Sequence, residues 1–372
     1  MRIDKIELYL VENRFHRPWR TAYGADPGNS ALITCMRSGS HEGWSESSPL
    51  PGPTYSYEYG PGIFELAKRF LAPAVVGKEF DSARQLNQAM SIFKGSPFAK
   101  AGIEMAWWTL QADIQGVPLG KLLGAVTDKI DVGESFGIAD SYDALIEEMG
   151  KSFDRGYKRV KLKMAHGWDY DMLAAVRSVF PNEVIHVDAN SSYDWNSQED
   201  RELLKSLDRF HLAMIEQPFQ VGDLYHHAKL QACIDTPICL DESITEPWQA
   251  EEAAEMKACQ YINVKTGRAG GLQNCLDINA ICRQAGMGCW VGGMMESDLG
   301  KAICVELAAV PGMNYAHDVT PAMFNYPDSI TEKELILDEN CCLPVSDKPG
   351  TPILPDMKKL LPKVAAKAVI EA

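Results

Sequence analysis

Lys163, Asp188, Glu216, Asp241 and Lys265 each stand at the end of a short apolar run, and the intervals between them are nearly regular. They are 25 residues from Lys163 to Asp188, 28 to Glu216, 25 to Asp241 and 24 to Lys265. Three acids brought to one place need a cation. Carboxylate oxygens with no histidine or cysteine at matching positions suit Mg²⁺ or Mn²⁺ better than zinc. One such acid could be a helix N-cap or half of an ion pair. Three in succession point to a metal site. Lys161 and Lys163 lie two apart on an extended run, so their side chains share a face. Two ammonium groups on one face are unfavourable unless acids neighbour them or one gives up its proton. A lysine working as a base near neutral pH must come down from about 10.4 to about 7–8, which costs roughly 4 kcal/mol. A second ammonium about 4 Å away, at an effective dielectric of about 20, supplies about that much. Lys161 is therefore expected to make Lys163 basic. Lys265 ends the last of the runs and puts a second cationic group across from the first. Such a set can remove the α-proton of a metal-bound carboxylate, with the metal stabilising the enolate and an amine taking the proton. A base on each side allows return of the proton on the opposite face, which racemises. A β-leaving group would let elimination compete.

The elements that must position these groups follow from the same runs. Arg159–Lys163, Val184–Asn190, Met214–Pro218, Ile238–Ser243 and Tyr261–Lys265 have the length and composition of buried strands, and helical patterns fill the gaps. Repeated βα units predict a parallel sheet closed as a barrel, with the carboxyl ends of the strands meeting at one face. Further units are expected at Val132–Ala139 (strand) with Tyr142–Phe153 (helix), a helix from Gly270-Gly271 to Ala285, a strand Gly288–Val291 ending in Gly292-Gly293, a helix Ser297–Ala309 and a short last strand Tyr315–His317. Upstream, alternation at Ile3, Ile6, Leu8, Leu10, Leu32 and Trp44 predicts antiparallel strands in a small α+β domain. His16–Asn29 and Pro49–Gly62 carry loop chemistry and are expected to cover a site. Ser96-Pro97 reads as an N-cap opening a helix that stops at Gly116. Trp107 and Trp108 on it are expected to pack. The expected division is 1–125 for the α+β domain, 126–318 for the barrel and 319–372 for a segment returning to the first domain, with a helix over Asp356–Ala372.

Composition narrows the partners. The chain has 372 residues and a formal charge of −15, which argues against nucleic acid and anionic membrane surfaces as partners and does not forbid the small-molecule carboxylate expected from the acids and lysines, because steering can be local. Charges at Arg2, Asp4 and Lys5 break any signal-peptide core, no run reaches membrane-spanning length, and a cytoplasmic protein is expected. Ten cysteines without a C-x-x-C pair predict buried, reduced thiols. His186, two before Asp188, shares the inward face and is expected to be a satisfied core histidine. Nothing reads as a nucleophile elbow or a P-loop. A Schiff-base lysine is the rival chemistry, but it leaves three carboxylates unexplained, and a non-catalytic scaffold leaves the whole set unexplained.

With these residues in place, the chain resembles the enolase superfamily, in the muconate-lactonising-enzyme branch, and within it the o-succinylbenzoate synthase/N-succinylamino acid racemase family. The likeness rests on Gly43-Trp44-Ser45-Glu46, Tyr55-Ser56-Tyr57-Glu58-Tyr59, Lys161-x-Lys163, Asp188-Ala189-Asn190, Glu216-Gln217-Pro218, Asp241-Glu242-Ser243, Lys265 through Gly271 and Gly292 through Ser297. It implies a (β/α)7β modified TIM barrel with an α+β capping domain. It also implies Mg²⁺ (or Mn²⁺) at Asp188, Glu216 and Asp241, and Lys163 as the acid/base residue assisted by Lys161. Lys265 would be the opposite base or an enolate-stabilising cation. Arg20, Tyr55, Ser135, Asn190, Gly293 and Met294 would contact substrate, and a homo-oligomer is implied. The reaction implied is dehydration of 2-succinyl-6-hydroxy-2,4-cyclohexadiene-1-carboxylate to o-succinylbenzoate in menaquinone synthesis, with N-succinylamino acid racemisation as the alternative. Glycine rather than histidine after Val291 separates the chain from mandelate-racemase-like enzymes. A single Asp318 separates it from dipeptide epimerases, which would show Asp-x-Asp.

Overall fold

Apolar side chains at alternate positions build the first sheet. In a computed structural model that describes all residues, Met1–Ala372, strands β1 (Lys5–Thr21), β2 (Gly24–Ser38) and β3 (His41–Ser47) form an antiparallel meander. Ile6, Leu8 and Leu10 face one way and join Leu32, Phe64, Leu86 and Ile103 in one core, while Tyr9 and Val11 face the other and meet Trp44 and Leu299. The helix Pro97–Gln115 is buried on almost every side, with Phe98 and Trp107 in this core and Met105 and Ala112 in the barrel core. It therefore joins the two parts.

The barrel follows from the apolar runs. Short strands β4 (Lys129–Asp131), β5 (Glu134–Phe136), β6 (Val160–Lys163), β7 (Ile185–Asp188), β8 (Ile215–Glu216), β9 (Ile238–Leu240), β10 (Tyr261–Val264) and β11 (Gly288–Val291) alternate with helices from β5 onward, and β5 to β11 lie side by side in chain order, all parallel. Val132–Ala139, expected as one strand, is shorter. Its first neighbour, β4, leaves the barrel and pairs with β12 (Cys342–Pro344). The expected strand at Tyr315–His317 is a set of single bridges: Gly133 N donates to His317 O (2.8 Å) and Asp318 N donates to Val291 O (3.0 Å). These bonds still carry the chain between β11 and β5. No helix is long and apolar enough to cross a membrane.

Three expectations are corrected. Asp356–Ala372 is not one helix. After a single turn at Met357–Leu360, residues Val364–Glu371 form β13, antiparallel to β1. Lysine and alanine favour a helix by only tenths of a kcal/mol per residue, whereas the open edge of β1 offers a full hydrogen-bond ladder. Val364, Ala366, Ala368 and Ile370 turn inward and their neighbours outward, the period of a strand. His16–Asn29 is not a loop but the tip of the β1–β2 hairpin, with a break in register between Arg14 and Trp19. Ser96 stands at the helix start yet caps nothing. Its backbone is left-handed (φ 57°) and its side chain makes no cap bond. The Glu58 carboxylate accepts from Phe98 N (2.9 Å) and Ala99 N (3.0 Å) instead. Burial pushes this acid up to about 7.

Urea unfolding tests that assignment. Glu58→Ala should cost about 1–2 kcal/mol, as loss of a cap does, and Ser96→Gly should gain up to about 1 kcal/mol by relieving a left-handed non-glycine residue. A loss on Ser96→Ala as large as that of Glu58→Ala would return the cap to Ser96.

Candidate active site at the mouth of the barrel

Parallel pairing in register sets the site. Lys163 lies opposite Asp188, and Asp188 opposite Glu216, so β6, β7 and β8 present the three in one row. Asp241 follows β9 and Lys265 follows β10 by one residue each. Asp188, Glu216 and Asp241 are fully buried, so each must find partners inside the protein.

Those partners are cations and amides. Asp188 Oδ2 accepts from Lys163 Nζ at 2.5 Å and lies 3.6 Å from Lys161 Nζ. Glu216 Oε2 faces Lys161 Nζ at 3.3 Å, and its Oε1 accepts from Asn263 Nδ2 at 2.7 Å. Asp241 is paired with Arg268, accepts from Lys265 Nζ at 2.9 Å, and accepts from the Tyr55 hydroxyl at 3.0 Å. Burial pushes Glu216 up, but Lys161 and His186 outweigh it and hold the acid well below the carboxylate range. Burial likewise pulls the Lys161 ammonium down, and Asp318, Glu216 and Asp188 together hold it above the usual lysine range. His186 is buried in the core, with Nδ1 3.0 Å from the Tyr315 hydroxyl and burial lowering it to about 4, but it is not the fully satisfied histidine expected, since its Nε2 makes no hydrogen bond and lies 3.5 Å from Glu216 Oε2.

The expectation that Lys161 acts on Lys163 by bare repulsion needs correction. One oxygen, Asp188 Oδ2, touches both ammonium groups, and Asp318 Oδ2 holds Lys161 Nζ at 2.5 Å. Asn190, in a left-handed backbone (φ 43°), adds its Oδ1 to Lys163 Nζ at 2.7 Å and donates its Nδ2 to Glu242 at 2.9 Å.

A divalent ion suits this donor set by its chemistry: three buried hard oxygen donors on neighbouring strand ends. As the side chains stand, no three His, Cys, Asp or Glu groups surround one point at coordinating distance. Their oxygens face Lys161, Lys163, Lys265 and Arg268, so holding an ion requires exchange of ammonium partners for metal.

A cavity of about 780 Å³ opens above the lysines, lined on one side by the hairpin tip and Tyr55 and on the other by Ser135, Lys161, Lys163, Asn190 and Lys265. Gly293 and Met294 line it too. A side chain at Gly293 would strike the Asp318 carbonyl. Arg20 lies at the rim, exposed and paired with Asp140 at 2.5 Å. All six residues expected to contact substrate thus border one space, and the three acids lie beneath it.

Sequence reasoning passed over several members of this set. Arg159, fully buried between Trp290 and Tyr315, binds Asp318 at 2.6 Å. It lies two before Lys161 on the same face, a period-2 signal. Asn263 stands in the same relation to Lys265. Lys301 is buried in the cavity wall with Nζ donating to the Thr320 carbonyl. Gln217 ties two strand ends together, its Oε1 accepting from Asp241 N (3.0 Å) and Ser243 N (3.2 Å). Arg268 stood only inside the Lys265 through Gly271 motif and Asp318 only as a single acid after the last strand, neither with a role, and no pattern in the sequence marked Lys301.

Residues 5–124 match the family model described as mandelate racemase/muconate lactonizing enzyme, N-terminal domain, and residues 144–359 match the one described as enolase C-terminal domain-like. The chain is 37% identical over 335 residues to an N-succinylamino acid racemase of Thermus thermophilus, covering 90% of each. It is 35% identical over 349 residues to an o-succinylbenzoate synthase of Bacillus subtilis, covering 94% of this chain and 93% of that one. A solved enolase-superfamily member from Listeria innocua superposes with a TM-score of 0.95 at 31% identity, covering 100% of this chain and 99% of that one.

His227 offers a test of how the Glu216 strand end is held. Its Nδ1–H donates to Asp223 O (2.6 Å) and its Nε2 accepts from Phe219 N (3.2 Å), which fixes a neutral ring just after Glu216-Gln217-Pro218. Burial lowers it to about 4. Between about 6.5 and 4 the unfolded chain holds a proton that the folded one refuses, so this contribution is present above 6.5 and is lost as pH falls. Relative to wild type, His227→Gln should lose about 2 kcal/mol less stability between about pH 7 and pH 4.5, measured by urea unfolding. Parallel profiles would show that His227 carries no such linkage.

Proposed function

The chain belongs to the enolase superfamily, in the family of o-succinylbenzoate synthases and N-succinylamino acid racemases, and from this membership and the site geometry we propose that it abstracts the α-proton of a succinyl-bearing carboxylate. The observation that carries the reading is the pair of buried lysines, Lys163 and Lys265, on separate strand ends of one cavity, each with its own set of partners. Elimination needs one base. Two bases held with equal care favour return of the proton on the other face, that is, racemisation of an N-succinylamino acid.

In this reading one lysine, as the neutral amine, takes the proton. The C–H electron pair passes into the substrate carboxylate, and the ammonium of the other lysine delivers a proton to the opposite face of the α-carbon. Lys161, held by Asp318, stays cationic and faces the developing negative charge. Asn190 aims Lys163. Bound at Asp188, Glu216 and Asp241, Mg²⁺ (or Mn²⁺) would supply Lewis-acid stabilisation of that charge. Arg17, Arg20 and Lys301 around the cavity give a distal succinyl carboxylate cationic neighbours. Dehydration to o-succinylbenzoate is the second reading. It is favoured by the Bacillus subtilis relative, and begins with the same abstraction by Lys163 while Lys265 serves as a cation.

Both substrates should be offered to the purified protein. Proton exchange or racemisation of N-succinylamino acids is expected with Mg²⁺, lost on EDTA treatment and restored by added metal. Lys163→Ala should lower both this reaction and dehydration by at least 10³-fold. Turnover of neither substrate, or turnover indifferent to EDTA and to Lys163→Ala, would overturn the reading.

A further inference from the structure

The two lysines differ in who holds them. Lys163 Nζ bonds Asp188 Oδ2 and Asn190 Oδ1, both from the end of β7 in the barrel. Lys265 Nζ bonds Asp241 Oδ2 in the barrel and, at 3.1 Å, the hydroxyl of Tyr55, which belongs to the N-terminal part of the chain. The Tyr55 ring also lies under that ammonium, 4.4 Å from Nζ to the ring centroid, so the residue contacts Lys265 by hydroxyl and by π-face. Its hydroxyl is fully used: it donates to Asp241 Oδ1 (3.0 Å) and accepts from Lys265 and from Arg268 (3.0 Å).

Tyr55 is itself held from outside the barrel. Gly60 N donates to Leu50 O (3.0 Å) and closes the ends of the segment 50–60. Glu58, three residues on, is fixed to the first turn of the helix Pro97–Gln115, and the Tyr55 ring packs edge-on against Phe98 of the same turn. Tyr57 points away, 92% exposed, while Tyr55 is 6% exposed. The segment thus clamps to the helix and sends one side chain into the site.

We infer that Tyr55 is a positioning residue for Lys265 and not for Lys163, so that the segment 50–60 controls proton transfer on one face of the substrate while the barrel alone runs the other. This rests on the proposed two-lysine reaction. It also gives the fold a place where racemisation could be tuned without touching abstraction by Lys163.

The test is α-proton exchange in D₂O, followed by NMR for each enantiomer of an N-succinylamino acid with saturating Mg²⁺. Wild type, Tyr55→Phe, Lys163→Ala and Lys265→Ala are compared. Tyr55→Phe is expected to slow exchange at least tenfold more for the enantiomer whose exchange Lys265→Ala abolishes than for the other. Equal slowing of both would overturn the inference, since a tyrosine that only supports the site as a whole acts on both faces. If wild type exchanges neither enantiomer, the proposed reaction fails, and the inference is then judged by labelling without substrate. Acetic anhydride followed by mass spectrometry should modify Lys265 at least threefold faster in Tyr55→Phe than in wild type, with Lys163 unchanged. A change at both lysines or at neither would overturn it.

Discussion

A carboxylate taken out of water without a partner costs several kcal/mol, and the mouth of this barrel buries three completely. Each of Asp188, Glu216, Asp241 and Asp318 is held by at least one lysine or arginine. Lys161 alone joins three of them, Asp188, Glu216 and Asp318, with Arg159 also on Asp318, while Lys265 and Arg268 hold the fourth, Asp241. Removing one member of such a set leaves a buried charge unpaired, at a cost of about 3–5 kcal/mol. The strand register therefore has little freedom. A slip by one residue would turn Lys163, Asp188 or Glu216 to the outer face. The aromatic layer below, with Trp290 and Tyr315 against the Arg159 guanidinium, closes the network from beneath.

The N-terminal part is bound into the same network by acids that satisfy barrel helices. Glu46 on β3 accepts from Ser297 N (2.9 Å) and Gly300 N (3.2 Å) where the helix Asp298–Ala308 begins. Glu104 accepts from Leu272 N and Gln273 N (both 2.8 Å) where Leu272–Ala285 begins. The first N–H groups of a helix have no partner within it, and here the neighbouring domain supplies the acceptors, with the helix dipole in their favour. These are the helices that follow β10 and β11, which carry Lys265 and the glycines beside the cavity. The position of the N-terminal part and the position of the site are thus set together.

What was legible in the sequence was whatever ended an apolar run with a charge. Lys161, Lys163, Asp188, Glu216, Asp241 and Lys265 all belong to that class, and the barrel followed from their spacing. Arg159, His186 and Asn263 share the same inward face at two-residue steps, so part of the network was within reach. Asp318, Arg268 and Lys301 were not, because they reach the site from bridges, a loop and a helix whose placement depends on the closed fold. The C-terminal strand β13 was hidden for a related reason. Lysine and alanine promise a helix, and the edge of β1 that overrules them lies more than 350 residues away in the chain. Glu58 was hidden by a plausible substitute, since Ser96-Pro97 has the look of a cap while its left-handed backbone turns the hydroxyl away.

In the proposed reaction two lysines serve the two faces of one substrate carbon. This is tested most directly by running the wild-type reaction in D₂O from a single enantiomer of an N-succinylamino acid and measuring the isotope at the α-carbon of the first inverted product. Two bases predict that the inverted product carries deuterium, because the proton it gains comes from a lysine already equilibrated with solvent. Substrate-derived protium carried over into the inverted product would mean that one group both takes and returns the proton, and would overturn the two-lysine reaction.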